Sequence, residues 1–197
     1  METDSATVMA VILIGGTPGT GKTVVAKALG ESLNMKVVSL GVLATDSNCI
    51  ESRDESRETD VIDEDCLVDA VIELIDSTSE RMIIEGHYID LVPKGSVERA
   101  VILRVHPDTL KTRLSKRGYQ EDKAAENIEA EVLGVCQIDA LYSFGEDLVS
   151  EIDTTELSVP DVVEKIVSLL KEPNTTTRID WMSILEDECR LDDYLSE

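Results

Sequence analysis

Two kinds of apolar pattern alternate along this chain. Residues 7–14, TVMAVILI, form a continuous apolar run rich in β-branched residues that ends in glycines, the pattern of a strand buried on both faces. Over 22–33, Val25, Leu29 and Leu33 recur every four residues and give a helix one apolar face. KVVSLG (36–41) reads as a second short strand. Residues 64–77 carry Val68, Val71, Ile72 and Ile75 on one helical face, and RMIIE (81–85) and ERAVILRV (98–105) read as the third and fourth strands. A helix then runs from Pro107, which supplies a helical φ, through the acidic first turn at Asp108, to about Lys116. After the interruption RGYQED, the stripe Ile128, Val132, Val135 and Ile138 predicts one long helix over 122–142. LVSEIDT (148–154) is a fifth strand, and Val163, Ile166, Val167 and Leu170 mark a last helix over 161–171. Pro173 ends that helix, and EPNTTT links it to a tail that carries the sole tryptophan, Trp181, and then acidic residues. Residues 45–62 are charged and without period, which predicts a mobile or surface segment.

Strands alternating with helices, each crossover long enough for a parallel pair, predict an α/β fold with a central parallel sheet of five strands flanked by helices. A length of 197 residues fits one domain with an appendage. The balance of 41 acidic against 18 basic residues, a net charge of −23, repels nucleic acid and anionic membrane, and suits a basic partner or a high-salt cytoplasm. Neither direct nucleic-acid binding nor membrane association is expected. Cys49, Cys66, Cys136 and Cys189 are scattered without a CxxC pair, and His87 and His106 are the only histidines, so a zinc site is not expected and reduced structural thiols are. The first residues, METDSATVMA, are acidic and unlike a signal peptide, and the longest apolar run is too short to span a bilayer, so a cytoplasmic protein is expected.

The chemistry concentrates at GGTPGTGKT, residues 15–23. Gly16 to Thr23 match G-x-x-x-x-G-K-[ST] between a strand and a helix. Glycines let successive N–H groups turn inward around an anion, and the following helix adds its positive end. Gly19, Thr20, Gly21, Lys22 and Thr23 are therefore expected to hold ATP or GTP, with Lys22 on the terminal phosphates and Thr23 offering its hydroxyl to Mg²⁺. In MIIEGHYID, Glu85 ends an apolar strand, where a carboxylate holds Mg²⁺ or orients an attacking water. His87 is a candidate base, proton relay or phosphate-side donor, against a plain polar residue at a strand end. Arg113, Lys116 and Arg117 form the densest basic cluster, before the Gly118 hinge. Arg117 is the candidate for phosphate contacts when a lid closes, with helix-surface salt bridging as the alternative, most of all for Arg113 and Lys116. His106 reads as a turn residue, and Asp63, Glu64 and Asp65 as the acidic start of a helix.

GGTPGTGKTVVAKAL, VIDEDCLVDAV, EGH and LKTRLSKRGYQEDKAAENIEAEV together resemble the adenylate-kinase-like NTPases of archaea and eukaryotic nuclei, the coilin-interacting ATPase type. The resemblance covers about residues 8–172, and Asn127 and Glu131 downstream of RGY narrow it. It implies a P-loop kinase domain over 1–172, of the nucleoside monophosphate kinase type, with a monophosphate-binding segment near 42–65 and a short lid near 116–126. The acidic tail 173–197 lies outside it and is expected to be solvated. The implied activity is transfer of the ATP terminal phosphate to AMP or another nucleoside monophosphate, with ATP hydrolysis alongside, by Lys22, Glu85, His87 and Arg117, with Mg²⁺ at Thr23 and Glu85 and with Val24 joining the phosphate loop through its backbone. The resemblance also implies a role in small ribosomal subunit maturation through a basic ribosomal protein, and a nuclear location if the source is eukaryotic. One position departs from the pattern: Thr45 stands in GVLAT where members often carry a basic residue for the monophosphate, which opens a second reading, an ATPase serving an assembly partner.

Overall fold

A computed structural model describes residues 11–54, 59–171 and 178–195. In chain order it holds β1 (Val11–Gly15), α1 (Lys22–Leu33), β2 (Lys36–Ser39), α2 (Leu40–Asp46), β3 (Ile50–Asp54), β4 (Thr59–Ile62), α3 (Glu64–Asp76), β5 (Met82–Glu85) and β6 (Val97–Arg104). There follow α4 (Pro107–Lys116), α5 (Glu121–Leu133), α6 (Val135–Phe144), β7 (Val149–Asp153), α7 (Val159–Leu169) and α8 (Trp181–Asp187). Five strands make a parallel sheet in the order β2-β5-β1-β6-β7, with β1 at its centre.

The sheet explains the unbroken apolar run. Val11 and Leu13 point into one core with Leu67, Ile84, Ile102 and Phe144, while Ile12 and Ile14 point into a second with Leu29, Ile83, Leu103 and Ile166. A strand covered on both faces has no polar alternation to show. Parallel pairing also brings the C-terminal ends of β1, β5, β6 and β7 to one edge, where the loops after them meet.

Local signals set most boundaries. Asp63 caps α3 by accepting from the Cys66 N–H at 3.0 Å, and His106 caps α4 through Nδ1 from the Asp108 N–H at 3.3 Å. A capping box between Ser158 and Asp161 starts α7.

The structure corrects several expectations. The helix expected over 122–142 is two helices, α5 and α6, broken at Gly134 with φ 70°. The expected stripe holds only before the break: Ile128 and Val132 are buried, whereas Val135 and Ile138 are exposed and α6 buries Cys136, Ala140 and Phe144 instead. Ser39 ends β2 and stands at the N-cap position of α2, so the strand expected over KVVSLG gives way to helix at Leu40 and Gly41. The segment 45–62 contains an antiparallel hairpin, β3 with β4. Its base is closed by a disulfide between Cys49 and Cys66, which replaces the reduced pair expected there. The tail over 178–195 is packed rather than solvated: Trp181 and Leu185 are buried. Residues 1–10, Arg57 and the linker EPNTTT lie outside the described residues. Among the described residues no helix is long and apolar enough to cross a membrane.

Candidate active site

The glycine loop leaves β1 and turns tightly over the strand-end edge. Gly16 has φ 135°, and a Cβ there would lie 2.4 Å from the Leu103 carbonyl of β6. Gly19 has φ 99°, and its Cβ would lie 2.6 Å from Leu110 Cδ1 of α4. Both positions combine a left-handed backbone with a close approach that only glycine allows.

Lys22 is the first residue of α1, and its ammonium donates to the Gly16 carbonyl at 2.7 Å and the Thr17 carbonyl at 3.1 Å. The cation therefore lies along the loop rather than out in solvent. Burial lowers the Lys22 pKa, the carboxylates of Glu85 and Glu131 oppose the shift, and Arg117 adds to it. The Thr23 hydroxyl, one residue on, faces Glu85 at 3.3 Å from each carboxylate oxygen. Glu85 is buried at the end of β5. A hydroxyl and a carboxylate side by side are hard oxygen donors of the kind Mg²⁺ takes. Among the described residues no group of three or more His, Cys, Asp or Glu could hold a metal by itself. A cation at Thr23 and Glu85 thus needs further oxygens from phosphate and water, which is the usual state of protein-bound Mg²⁺.

Arg117 ends α4 and lines the same small cleft as Pro18, Gly19, Lys22, Thr23, Val24 and Tyr119. Val24 is exposed there, in the first turn of α1. Arg113 does not bridge to glutamates as expected. It donates to the backbone carbonyls of Thr20 at 3.4 Å and Thr154 at 3.2 Å, tying α4 and the chain after β7 to the glycine loop. Lys116 is exposed on the last turn of α4. Thr45 spends its hydroxyl on the Gly41 carbonyl of its own helix at 3.0 Å.

His87 stands two residues beyond Glu85, exposed at the mouth, with Nδ1 3.6 Å from Cys136 Sγ. Crowding by protein lowers its pKa, the Lys22 charge lowers it further, and Asp139 acts against both. Its imidazole is therefore biased to the neutral form near pH 7. Burial pushes the Cys136 thiol up to about 11, so it stays protonated.

Beneath the loop lies a group of buried charges. Arg104, at the end of β6, donates through Nε to Glu131 Oε1 at 2.9 Å, through Nη2 to the Glu131 carbonyl at 2.8 Å and through Nη1 to Glu151 Oε2 at 3.1 Å. The same Nη1 reaches the Ile179 carbonyl at 3.1 Å and Gln137 Oε1. Glu131 Oε2 accepts from the Thr17 hydroxyl at 2.5 Å, so the group holds the glycine loop directly. Arg178 completes it by donating to Glu151 Oε1 at 3.2 Å. Two acids and two bases neutralise one another, which is what burial of charge requires. The roles of Thr17, Arg104, Arg113, Cys136, Glu151 and Trp181 escape sequence reading. A signal existed for two of them: Arg104 follows the apolar run AVIL and Glu151 lies between Val149 and Ile152, and opposite charges among apolar strand residues are buried only when paired.

A family model described as an AAA domain matches residues 12–134, more than half of the chain. A Saccharolobus solfataricus protein named "Putative adenylate kinase" is 40% identical over 158 residues, covering 80% of this chain and 82% of the relative. A Pyrococcus furiosus protein of the same name is 34% identical over 179 residues, covering 90% and 94%. Among solved structures, the Bacteroides thetaiotaomicron shikimate kinase superposes with TM-score 0.54 at 20% identity over 83% of this chain and 99% of its own. The Bacillus subtilis YorR protein, in complex with phosphorylated GDP, does so with TM-score 0.60 at 16% identity over 82% and 96%. At those identities the two structures establish the fold alone.

Proposed function

The chain belongs to the adenylate-kinase-like family of P-loop phosphotransferases, and from that premise we propose that it transfers the terminal phosphate of ATP to AMP, with ATP hydrolysis as a side activity. The observation that carries this reading is the placement of three groups on one strand-end edge. Lys22 lies across the glycine loop, Thr23 and Glu85 face each other at 3.3 Å, and Arg117 closes the cleft from α4.

In-line phosphoryl transfer asks a protein mainly for positioning and charge neutralisation. Gly19, Thr20 and Gly21 supply a backbone cradle, and α1 adds its positive end to the bound phosphates. Lys22 swings from the Gly16 and Thr17 carbonyls onto phosphate oxygens, and Arg117 adds a planar fork of donors from the segment 116–126, which acts as the lid. Mg²⁺ at Thr23 and Glu85, when bound, supplies charge neutralisation to the terminal phosphates. His87, biased to the neutral form, is suited to hold the attacking hydroxyl or water by hydrogen bonding, or to take its proton. The segment 42–65 is the monophosphate side, and the described part of its hairpin presents Arg53 as an exposed cation. We take 1–172 as the catalytic unit.

A second reading has one specific observation in its favour. Thr45 is uncharged and its hydroxyl is bonded to the Gly41 carbonyl of its own helix, so this position offers no charge to a monophosphate. On that reading water is the main acceptor, and the nucleotide state controls the grip on a basic small-subunit ribosomal protein during ribosome maturation. The net charge of −23 suits such a partner.

The test is a product assay with Mg·ATP, with and without AMP, measuring ADP and free phosphate separately. Consumption of AMP with ADP formed and no phosphate released supports the kinase. Phosphate rising with ADP while AMP stays constant supports the ATPase. Lys22→Ala is expected to abolish both activities, and wild-type turnover in that variant would overturn the site.

A further inference from the structure

The C-terminal segment reaches the glycine loop through a single carboxylate. Glu131 is almost wholly buried on α5. Its Oε2 accepts from the Thr17 hydroxyl at 2.5 Å, and its Oε1 accepts from Arg104 Nε at 2.9 Å, the Val105 N–H at 3.0 Å and the indole N–H of Trp181 at 3.1 Å. Three of the four donors crowd on Oε1 and Thr17 alone is on Oε2, so the indole N–H shares Oε1 with Arg104 and Val105. The Thr17 carbonyl is fixed separately, by Lys22 at 3.1 Å and the Thr20 hydroxyl at 2.9 Å. The loop's second residue is therefore held at its backbone from within the loop and at its side chain from Glu131.

Trp181 is also placed by contacts other than its bond to Glu131, although Arg104 takes part in both. The Ile179 N–H donates to Glu151 Oε2 at 3.1 Å, and the Ile179 carbonyl accepts from Arg104 Nη1 at 3.1 Å. Arg178 donates to the Val149 carbonyl at 3.1 Å on the edge strand β7. The indole packs edge-on against His106, with ring centroids 5.3 Å apart, and is only 5% exposed. The segment thus arrives with its indole N–H already aimed at Glu131.

We propose that Trp181 is a positioning residue for nucleotide binding: its indole N–H sets the rotation of the Glu131 carboxylate, which holds Thr17 and with it the shape of the phosphate loop. The inference rests on the reading of that loop as the nucleotide site. A buried carboxylate that loses a donor has no solvent to replace it and rotates toward the donors that remain. Thr17, bonded to the other oxygen, follows that rotation. Coupling between two sites is reciprocal, so nucleotide in the loop alters the environment of the indole as much as the indole alters nucleotide affinity.

Trp181→Phe keeps most of the ring and removes the N–H. The expected result is a Kd for ATP raised about tenfold, equivalent to about 1.4 kcal/mol, with kcat at saturating ATP changed much less. A variant with a lower Tm and an unaltered Kd would mean that Trp181 only packs, and overturns the proposal. Should the variant not fold, the wild-type chain provides the second measurement. Trp181 is its sole tryptophan, so its nitrogen-15 spectrum holds a single indole N–H resonance. That resonance is expected to shift on titration with ADP, with the same midpoint as calorimetric binding. A resonance that stays in place at saturation overturns the proposal. Lys22→Ala separates the two levels: undiminished ATP binding in that variant removes the nucleotide reading itself, whereas binding lost in Lys22→Ala and kept in Trp181→Phe removes the positioning role alone.

Discussion

Replacing Arg104 by Met tests whether the buried charges are a connected, paired group. Arg104 is 1% exposed and makes both buried ion pairs, to Glu131 at 2.9 Å and to Glu151 at 3.1 Å. Met fills much of its volume but leaves two carboxylates without their shared cation. Removing one partner of a buried pair costs about 3–5 kcal/mol. Each carboxylate keeps other donors: Glu131 retains Thr17, Val105 and Trp181, and Glu151 retains Arg178 and Ile179. The cost therefore falls at the lower end, about 3 kcal/mol. In a chain of this size that lowers Tm by about 6–12 °C. Scanning calorimetry on the wild type, Arg104→Met, Glu131→Gln and the double variant measures it. Because Gln is neutral, the double variant no longer buries an unpaired Glu131, and its loss is expected to be smaller than the sum of the singles by about 1 kcal/mol or more. A Tm fall in Arg104→Met below about 2 °C, or strictly additive losses, would refute the paired-charge account.

Gly19→Ala puts a methyl 2.6 Å from Leu110 Cδ1 at φ 99°, so loss of ATP binding by calorimetry is expected with a stability loss of about 1–3 kcal/mol; ATP affinity kept at the wild-type level would contradict the loop geometry. The Cys49–Cys66 disulfide closes a separation of 17 residues, so reductant is expected to cost about 3 kcal/mol, and a Cys49→Ser/Cys66→Ser variant to show the lower Tm with no response to reductant. Asp108 is held down to about 2 first by its hydrogen bonds from Arg190 and Tyr194, which pin the C-terminal segment to α4. A carboxylate with a lowered folded pKa contributes stability above its ordinary pKa of 3.8 and loses it as pH falls through about 2. The Tm difference between wild type and Asp108→Asn is therefore expected to be constant above about pH 5 and to vanish toward pH 2, and a difference that persists there would rule this contribution out.

Residues 15–23 carried their chemistry in the sequence because backbone geometry dictates their residue types locally: glycine where φ is positive, lysine and threonine at the first turn of the helix that follows. The alternation of apolar strands and amphipathic helices likewise specified a parallel α/β sheet, since burial on both faces erases polar alternation. Glu85, Lys22, Thr23 and Arg117 were legible for the same reason, being tied to element ends that the pattern marks. The rest required contacts between residues distant in the chain. Nothing in the periodicity places Glu131 under Thr17, 114 positions away, or brings Trp181 to it across a linker. The Gly134 break was hidden because apolar residues continue at helical spacing on both sides of it although α5 and α6 bury different faces in different clusters, and the Cys49–Cys66 pair because the hairpin between them has no apolar period. Local sequence determined the sheet strands, most of the helices and the glycine-loop motif between β1 and α1. Tertiary packing decided what holds that loop in shape, because a buried charge finds its partner through the fold and not through its neighbours in sequence.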